Sequence, residues 1–247
     1  MCTLIAFWRA VPGYDVVLGM NRDESAARPA DPPSFLEGDP PVVAPRDLKA
    51  GGTWIGVNGK GLCIALSNRR GRNSETARSR GRLVLDVLRA PTVAAVDILL
   101  QNEVRDHEYN YWNLMAMSRP ELRFFHYDGR LSTSRGREGL NVLTNEGANL
   151  SSDPKVQTIK RLAPGGPPRS IEDAIGGLQA VLRTHDSDRD RASLCVHTVF
   201  GGTVSSTIFA LSNADPQENV LLYAPGPPCT TAYRAYDEAI RRLRTSG

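Results

Sequence analysis

The apolar positions fall into blocks with strand periodicity, separated by blocks with helix periodicity. Residues 2–9 and 15–20 are apolar and β-favouring, and the turn Pro12-Gly13-Tyr14-Asp15 joins them. Residues 26–41, rich in Pro and Ala, read as a surface loop. The runs Gly52–Val57 and Leu62–Leu66 flank Asn58-Gly59-Lys60-Gly61. Asn-Gly between apolar runs predicts a hairpin, because both residues tolerate positive φ. Residues 69–80 are rich in Arg and Ser and read as a mobile loop. Leu83, Val84, Val87 and Leu88 then form a helical stripe, and Thr92 is placed to cap a second helix running through Arg105. Strands follow at 111–117, 122–127 and 140–144, and helices at 152–162 and 170–183. Ser170 opens the latter helix, with Glu172 and Asp173 in its first turn. The pattern ends with strands at 193–199, 204–211 and 219–223 and a helix at 232–244 carrying Arg241, Arg242 and Arg244.

Strands and helices in alternating blocks predict an α+β fold with layered, mainly antiparallel sheets, not a βαβ repeat. The stretches 26–41 and 164–169 are too short for domain linkers, so residues 1–247 are expected to form one domain. With 40% apolar and 23% charged residues the composition is that of a globular protein. Thirty basic and 27 acidic residues leave a net charge of +3, which gives no electrostatic reason to expect nucleic acid or an anionic membrane as partner. Leu4–Trp8 is too short for a signal or a membrane segment and stops at Arg9, so a cytoplasmic location is expected. The oligomeric state is left open.

The four cysteines, Cys2, Cys63, Cys195 and Cys229, are too few and too widely spaced for a disulfide scaffold or a zinc ribbon. Cys2 differs from the rest. If Met1 is removed, one residue carries a thiol and a free α-amine, with reference pKa values of about 8.5 and 7.7–8.0. The amine can take the thiol proton and later return it to a leaving group. Cys2 heads an apolar strand, and the adjoining strand Val16–Met20 runs into Asn21-Arg22-Asp23-Glu24. If the two strands form a meander, this tetrapeptide returns to Cys2. Arg22 would then favour thiolate, and Asp23 would orient the amine. Asn68 and Asn145 each end an apolar strand, and their amides are suitable donors to an oxyanion.

Met1-Cys2-Thr3, Asn21-Arg22-Asp23-Glu24 and Gly51-Gly52-Thr53-Trp54-Ile55-Gly56, with Asn58 and Gly61-Leu62, together resemble the NRDE family, described as transport and Golgi organisation protein 2-like. The likeness is taken to run over nearly the whole chain, through Leu143-Thr144-Asn145 to the C-terminal strands. That family in turn resembles N-terminal nucleophile (Ntn) hydrolases, which implies a four-layer αββα sandwich. The resemblance implies catalytic roles for Cys2, Asp23, Asn68 and Asn145; Arg22 is expected beside them as the cation that favours thiolate, and Asn21, Glu24, Trp54 and Ser205 are expected at the substrate. Two positions depart from these patterns. Met20, not an arginine, lies three residues before Asp23, and Val204 stands in Gly202-Thr203-Val204-Ser205-Ser206-Thr207 where the family pattern has arginine.

The implied activity is hydrolysis of a non-peptide C–N (amide) bond in a small molecule, with no cofactor and no metal. The alternative is a non-catalytic carrier or chaperone for a small hydrophobic anion such as an acyl lipid, acyl-coenzyme A or haem. Cys63 and Cys195 read as core. His107, His126, His185 and His197 are dispersed, and only the alternation of Cys195 with His197 hints at a metal or haem pair. Trp54 and Trp112 are expected to pack the layers, and Trp54, near the catalytic end, is the alternative candidate to line an apolar pocket. Arg69, Arg70, Arg72, Arg78, Arg80 and Arg82 form a basic stretch, either solvated or facing a substrate anion.

Overall fold

The computed structural model describes residues 2–163, 166–185 and 192–243. Met1 and Arg244, which the sequence reading uses, lie outside them, as do residues 164–165 of the short stretch 164–169. In chain order the elements are β1 (Thr3–Val11), β2 (Tyr14–Ser25), β3 (Ala30–Leu36), β4 (Val42–Asp47), β5 (Ile55–Asn58) and β6 (Cys63–Asn68). Helices α1 (Arg80–Val87) and α2 (Val93–Asp106) precede β7 (Trp112–Met117), β8 (Leu122–Tyr127), β9 (Leu131–Arg135) and β10 (Gly139–Leu143). Then come α3 (Pro154–Leu162), α4 (Ile171–Leu182), β11 (His197–Thr198), β12 (Gly201–Ser212), β13 (Val220–Ala224), β14 (Arg234–Ala235) and α5 (Asp237–Arg241).

The strands form two antiparallel sheets of seven. One is ordered β10-β1-β2-β12-β13-β14, with β11 on β12, and the other runs β3 to β9 in sequence order. Alternation along the strands explains the layering. Leu4, Leu18 and Met20 of the first sheet meet Ile55, Val57, Met115 and Phe124 of the second in a core between the sheets. The intervening residues Ile5, Val17 and Ile208 pack outward on α3 and α4, through Val156, Ile159, Leu178 and Leu182. Ile64, Leu114 and Phe125 of the second sheet pack outward on Leu83, Val84, Val87 and Leu100 of α1 and α2. The result is the expected αββα sandwich. Strands buried on both faces read as continuous apolar runs, which is why they were legible in the sequence.

Four local readings change. The 26–41 segment contains β3, whose Pro32 and Pro33 sit at a register shift on a sheet edge, where a missing N–H is tolerated. The 69–80 stretch is tied down, by Ser74 N–H to Asn110 Oδ1 (2.7 Å) and by Arg72 to Glu108 (2.6 Å). The strand at 193–199 shrinks to β11, because the amides of Leu194 and Cys195 both donate to the Thr184 carbonyl at the end of α4. The C-terminal helix shrinks to α5, because Arg234–Ala235 pairs with β13 and the Tyr236 amide donates to Leu221.

The β5–β6 hairpin forms, though for a different reason from the one the Asn-Gly pair suggests. Gly61 supplies the positive φ, and Asn58 ends β5. The Asn58 amide donates to the Leu88 and Ala90 carbonyls (both 2.8 Å), while its oxygen accepts from Lys60 and Leu62. One side chain thus ties the hairpin to the end of α1.

Gly52 fixes the other end of α1. A Cβ there would collide with the Gly81 backbone, to whose carbonyl the Thr53 amide donates (3.0 Å). The atoms it would meet, of Gly81 and Arg82, are all main chain, so the clash has no flexible side chain to absorb it. Gly52→Ala is expected to lower stability by at least about 1–3 kcal/mol, read as a fall in the midpoint of urea unfolding at unchanged slope.

Candidate functional site

Cys2 immediately precedes β1, and Thr3 pairs with Asn21 of β2, so the tetrapeptide does return to Cys2. The Ser67 hydroxyl of β6 donates to the Cys2 carbonyl (3.3 Å), which holds the residue where the two sheets meet. Alternation then divides the tetrapeptide. Arg22 faces the other sheet, its guanidinium 4.2 Å from the centre of the Trp54 ring and 3.7 Å from Asp47. Glu24 is on the same side and pairs with Arg28 (3.3 Å), which also binds Asp47 (2.6 Å). Asn21 and Asp23 face the helices. Asn21 donates to the Leu182 and Leu194 carbonyls and is a tether, not a cavity residue. Asp23 accepts from the Thr203 hydroxyl (2.6 Å) and lies 3.6 Å from the ammonium of Lys155, which donates to Thr3 Oγ1 (2.9 Å).

A cavity of about 590 Å³ opens at this end of the strands. Cys2, Arg22, Asp23, Trp54 and Asn68 line it, with Arg80 at the start of α1. Polar and charged residues dominate its wall, so Trp54 sits in a mainly polar site and not in an apolar pocket. A larger concavity, about 940 Å³, lies at the hairpin end of the molecule beside Arg9, Gly13 and Arg119, away from Cys2.

Asn145 does not line the cavity. Its amide donates to Ser67 Oγ (3.1 Å) and to the Asn68 carbonyl, which occupies both hydrogens and fixes the backbone of Asn68. Ser205 is also outside the cavity, opposite Arg22 in the ladder and on the side of Tyr223. Sequence reading missed Lys155, Thr203 and Asp47 as partners of the tetrapeptide. It saw Arg80 only as one of six arginines, yet a cation opening a helix with no acid in its first turn opposes the helix dipole. That was the available signal.

Burial dominates the electrostatics. It pushes the Cys2 thiol up, against a hydrogen bond from the Asp23 backbone amide that favours thiolate. It also pushes the Asp23 carboxyl up, opposed by Lys155, and the Arg22 guanidinium down, opposed by Asp47. Asp47 is partly buried as well, but Arg28 and the amides of Lys49 and Ala50 hold its carboxyl below the usual range.

The family model described as Transport and Golgi organisation 2 matches residues 1–166. The chain belongs to this family. The match ends before the C-terminal strands, short of the extent that the motifs alone suggested. A transport and Golgi organization protein 2 homolog from Bos taurus is 35% identical over 107 residues, 42% of this chain and 38% of the relative. The Homo sapiens homolog is 30% identical over 149 residues, 59% of this chain and 48% of the relative. The matches thus span less than half the length of these relatives. Among solved structures, penicillin V acylase from Agrobacterium tumefaciens superposes with a TM-score of 0.56 at 12% identity, covering 100% of this chain and 89% of that one. The Caenorhabditis elegans N-acylethanolamine-hydrolyzing acid amidase ortholog gives 0.55 at 14%, covering 84% and 92%. At such identities the likeness shows the Ntn-hydrolase-like fold. No helix among the described residues is long and apolar enough to cross a membrane.

Lys155 supplies the cation facing a buried carboxylate, so its removal strands that charge. Lys155→Met is expected to lower stability at neutral pH by about 3–5 kcal/mol. The sign of the pH dependence follows from Asp23. A carboxyl whose folded pKa is raised makes folding less favourable as pH climbs above the unfolded value of about 3.9. The deficit of the variant should therefore shrink toward acid pH, measured by urea unfolding of both proteins across the acid range.

Proposed function

We propose that the protein is an Ntn-type amide hydrolase whose nucleophile is Cys2, exposed as the N-terminal residue by removal of Met1. The carrying observation is the placement of Cys2 at a strand end, against the Asp23 amide, in a cavity shared with Arg22, Asn68 and Arg80. The α-amine of Cys2 takes the thiol proton, and sulfur attacks the substrate carbonyl carbon. The carbonyl π pair moves to oxygen, and the Asn68 amide donates to that oxyanion. As the oxyanion collapses, the C–N bond breaks and the amine proton passes to the leaving nitrogen. Water then cleaves the thioester, releasing a carboxylic acid and restoring the thiol. Asp23, held by Lys155 and Thr203, orients the amine. Asn145 acts by holding Asn68. Asn21 and Ser205, by this reading, support the strands around the site, and Trp54 with Glu24 bounds the substrate.

The polar wall points to a small substrate with an anionic group. Arg80 has no ion pair among the described residues, and the start of α1 adds its partial positive charge. Solved structures of similar fold are by name an acylase and an amidase, which supports the reaction class.

A second reading is favoured by the depth of Cys2, which is only 5% exposed and whose thiol burial pushes up. In it the same cavity carries a hydrophobic anion, such as an acyl lipid, acyl-coenzyme A or haem, without turnover.

Intact-mass measurement is expected to show a chain lacking Met1, and incubation with labelled N-acyl amides should add one acyl group to Cys2. Retention of Met1 on purified, folded protein would rule out the hydrolase. Cys2→Ala should abolish the adduct, and Asn68→Ala should lower turnover by about 10²–10³. Ligand binding that survives Cys2→Ala, with no adduct on the parent protein, would establish the carrier.

A further inference from the structure

His185 and His197 are twelve positions apart and were read as dispersed, but the fold brings their rings edge to face, with centroids 5.4 Å apart. Cys229 arrives from the segment after β13. Its sulfur lies 3.2 Å from His197 Nε2, and the donor atoms of His185, His197 and Cys229 all fall within 4.8 Å of one another. The Cys195 sulfur is 3.6 Å from the same His197 nitrogen and 3.5 Å from the Cys229 sulfur.

We propose that His185, His197 and Cys229 hold a zinc ion, with Cys195, whose sulfur lies beside His197 and Cys229, as the fourth donor, at a site separate from the Cys2 cavity. Zinc binds sulfur at about 2.3 Å and imidazole nitrogen at 2.0–2.1 Å in tetrahedral geometry, which implies ligand–ligand edges of roughly 3.3–3.8 Å. The three separations among Cys195, His197 and Cys229 lie at or just inside those edges. The sulfur atoms are too far apart for a disulfide, whose bond is about 2.05 Å. Two thiols and two imidazoles are a soft donor set that suits zinc over magnesium or calcium. Cys195 is buried and the two histidines are exposed, so the site opens to solvent on one side and needs no tunnel for metal entry.

Four protein donors leave no open position, which marks a structural site, not a catalytic one. The ion would add a clasp across three segments: the end of α4, the approach to β11 and the turn after β13. It would also reach the Cys2 cavity indirectly. Val196, between Cys195 and His197, exchanges hydrogen bonds with Thr203, its amide donating to Thr203 Oγ1 (2.9 Å) and its carbonyl accepting from the Thr203 amide (2.8 Å). Thr203 holds Asp23. The zinc would therefore stiffen the strand that positions Asp23.

The test uses the full chain, reduced and stripped with a chelator. Cobalt(II) should bind at one equivalent with the strong visible absorption of tetrahedral coordination and a thiolate-to-metal charge-transfer band, and zinc should displace it and raise the melting temperature. Cys229→Ser and His197→Ala, both at accessible positions, should weaken zinc binding by about a hundredfold or more, whereas Cys2→Ala should bind zinc as the parent does. Circular dichroism of each variant separates loss of the site from loss of the fold. No uptake by the reduced parent, an octahedral cobalt spectrum, or unchanged binding by a folded Cys229→Ser, His197→Ala double variant would overturn the proposal. So would a protein isolated with a Cys195–Cys229 disulfide that takes up no metal once reduced.

Discussion

Everything at the Cys2 end of the molecule follows from putting four polar residues into a strand that has no solvated face. β2 lies between β1 and β12, with the second sheet on one side and helices on the other. Asn21, Arg22 and Asp23 are buried there, and burial of polar or charged groups is tolerated only where partners meet them. Each side chain therefore recruits a different element: α4 for Asn21, β4 and Trp54 for Arg22, α3 and β12 for Asp23. The tetrapeptide is the hub that brings these layers into register.

The same constraint separates what the sequence shows from what it hides. Strands buried on both faces are continuous apolar runs, so β1, β6, β7 and β8 were legible. β9 was not, because Leu131-Ser132-Thr133-Ser134-Arg135 is an exposed edge with little apolar signal. β3 was hidden behind two prolines, which an edge strand accommodates. Of the candidate site, Cys2, Arg22, Asp23 and Glu24 share one cavity as the meander predicts, and Trp54 and Asn68 line it as well. The parity of the strand decided the rest. Asn21, one residue from Arg22, faces the opposite layer, and no reading that treats the tetrapeptide as a unit can see this. Lys155 and His185 are invisible for another reason, since their partners lie 132 and 12 or more positions away and only the fold brings them near.

The arrangement of charge also has a direction. On the sheet-facing side Arg22, Arg28, Glu24 and Asp47 form a closed set of pairs, which neutralises the base of the cavity. Arg80 is outside that set and stands at the start of α1. Arg80 thus adds a cation to the cavity beyond that neutral set, and under the proposed function it is a group that would meet an anionic part of the substrate. Coulomb attraction in a partly dehydrated cavity is stronger than in bulk water, which gives that guanidinium orienting value.

Asp23 and Arg22 face opposite layers, yet one strand, β12, serves both. In an unbroken ladder Thr203 and Ser205, two residues apart, would project to the same face. The register instead shifts between them, with Thr203 opposite Asp23 and Ser205 opposite the very next residue, Arg22. That shift is a β-bulge, and Val204 is its extra residue. Because of it, Thr203 turns toward the helices to hold Asp23 while Ser205 turns toward the other sheet beside Arg22 and Tyr223. Val204 is therefore the one position of β12 with no partner across the ladder to β2. A change of side chain there leaves the pairing of both neighbours intact, so position 204 can vary without dismantling the support of Asp23.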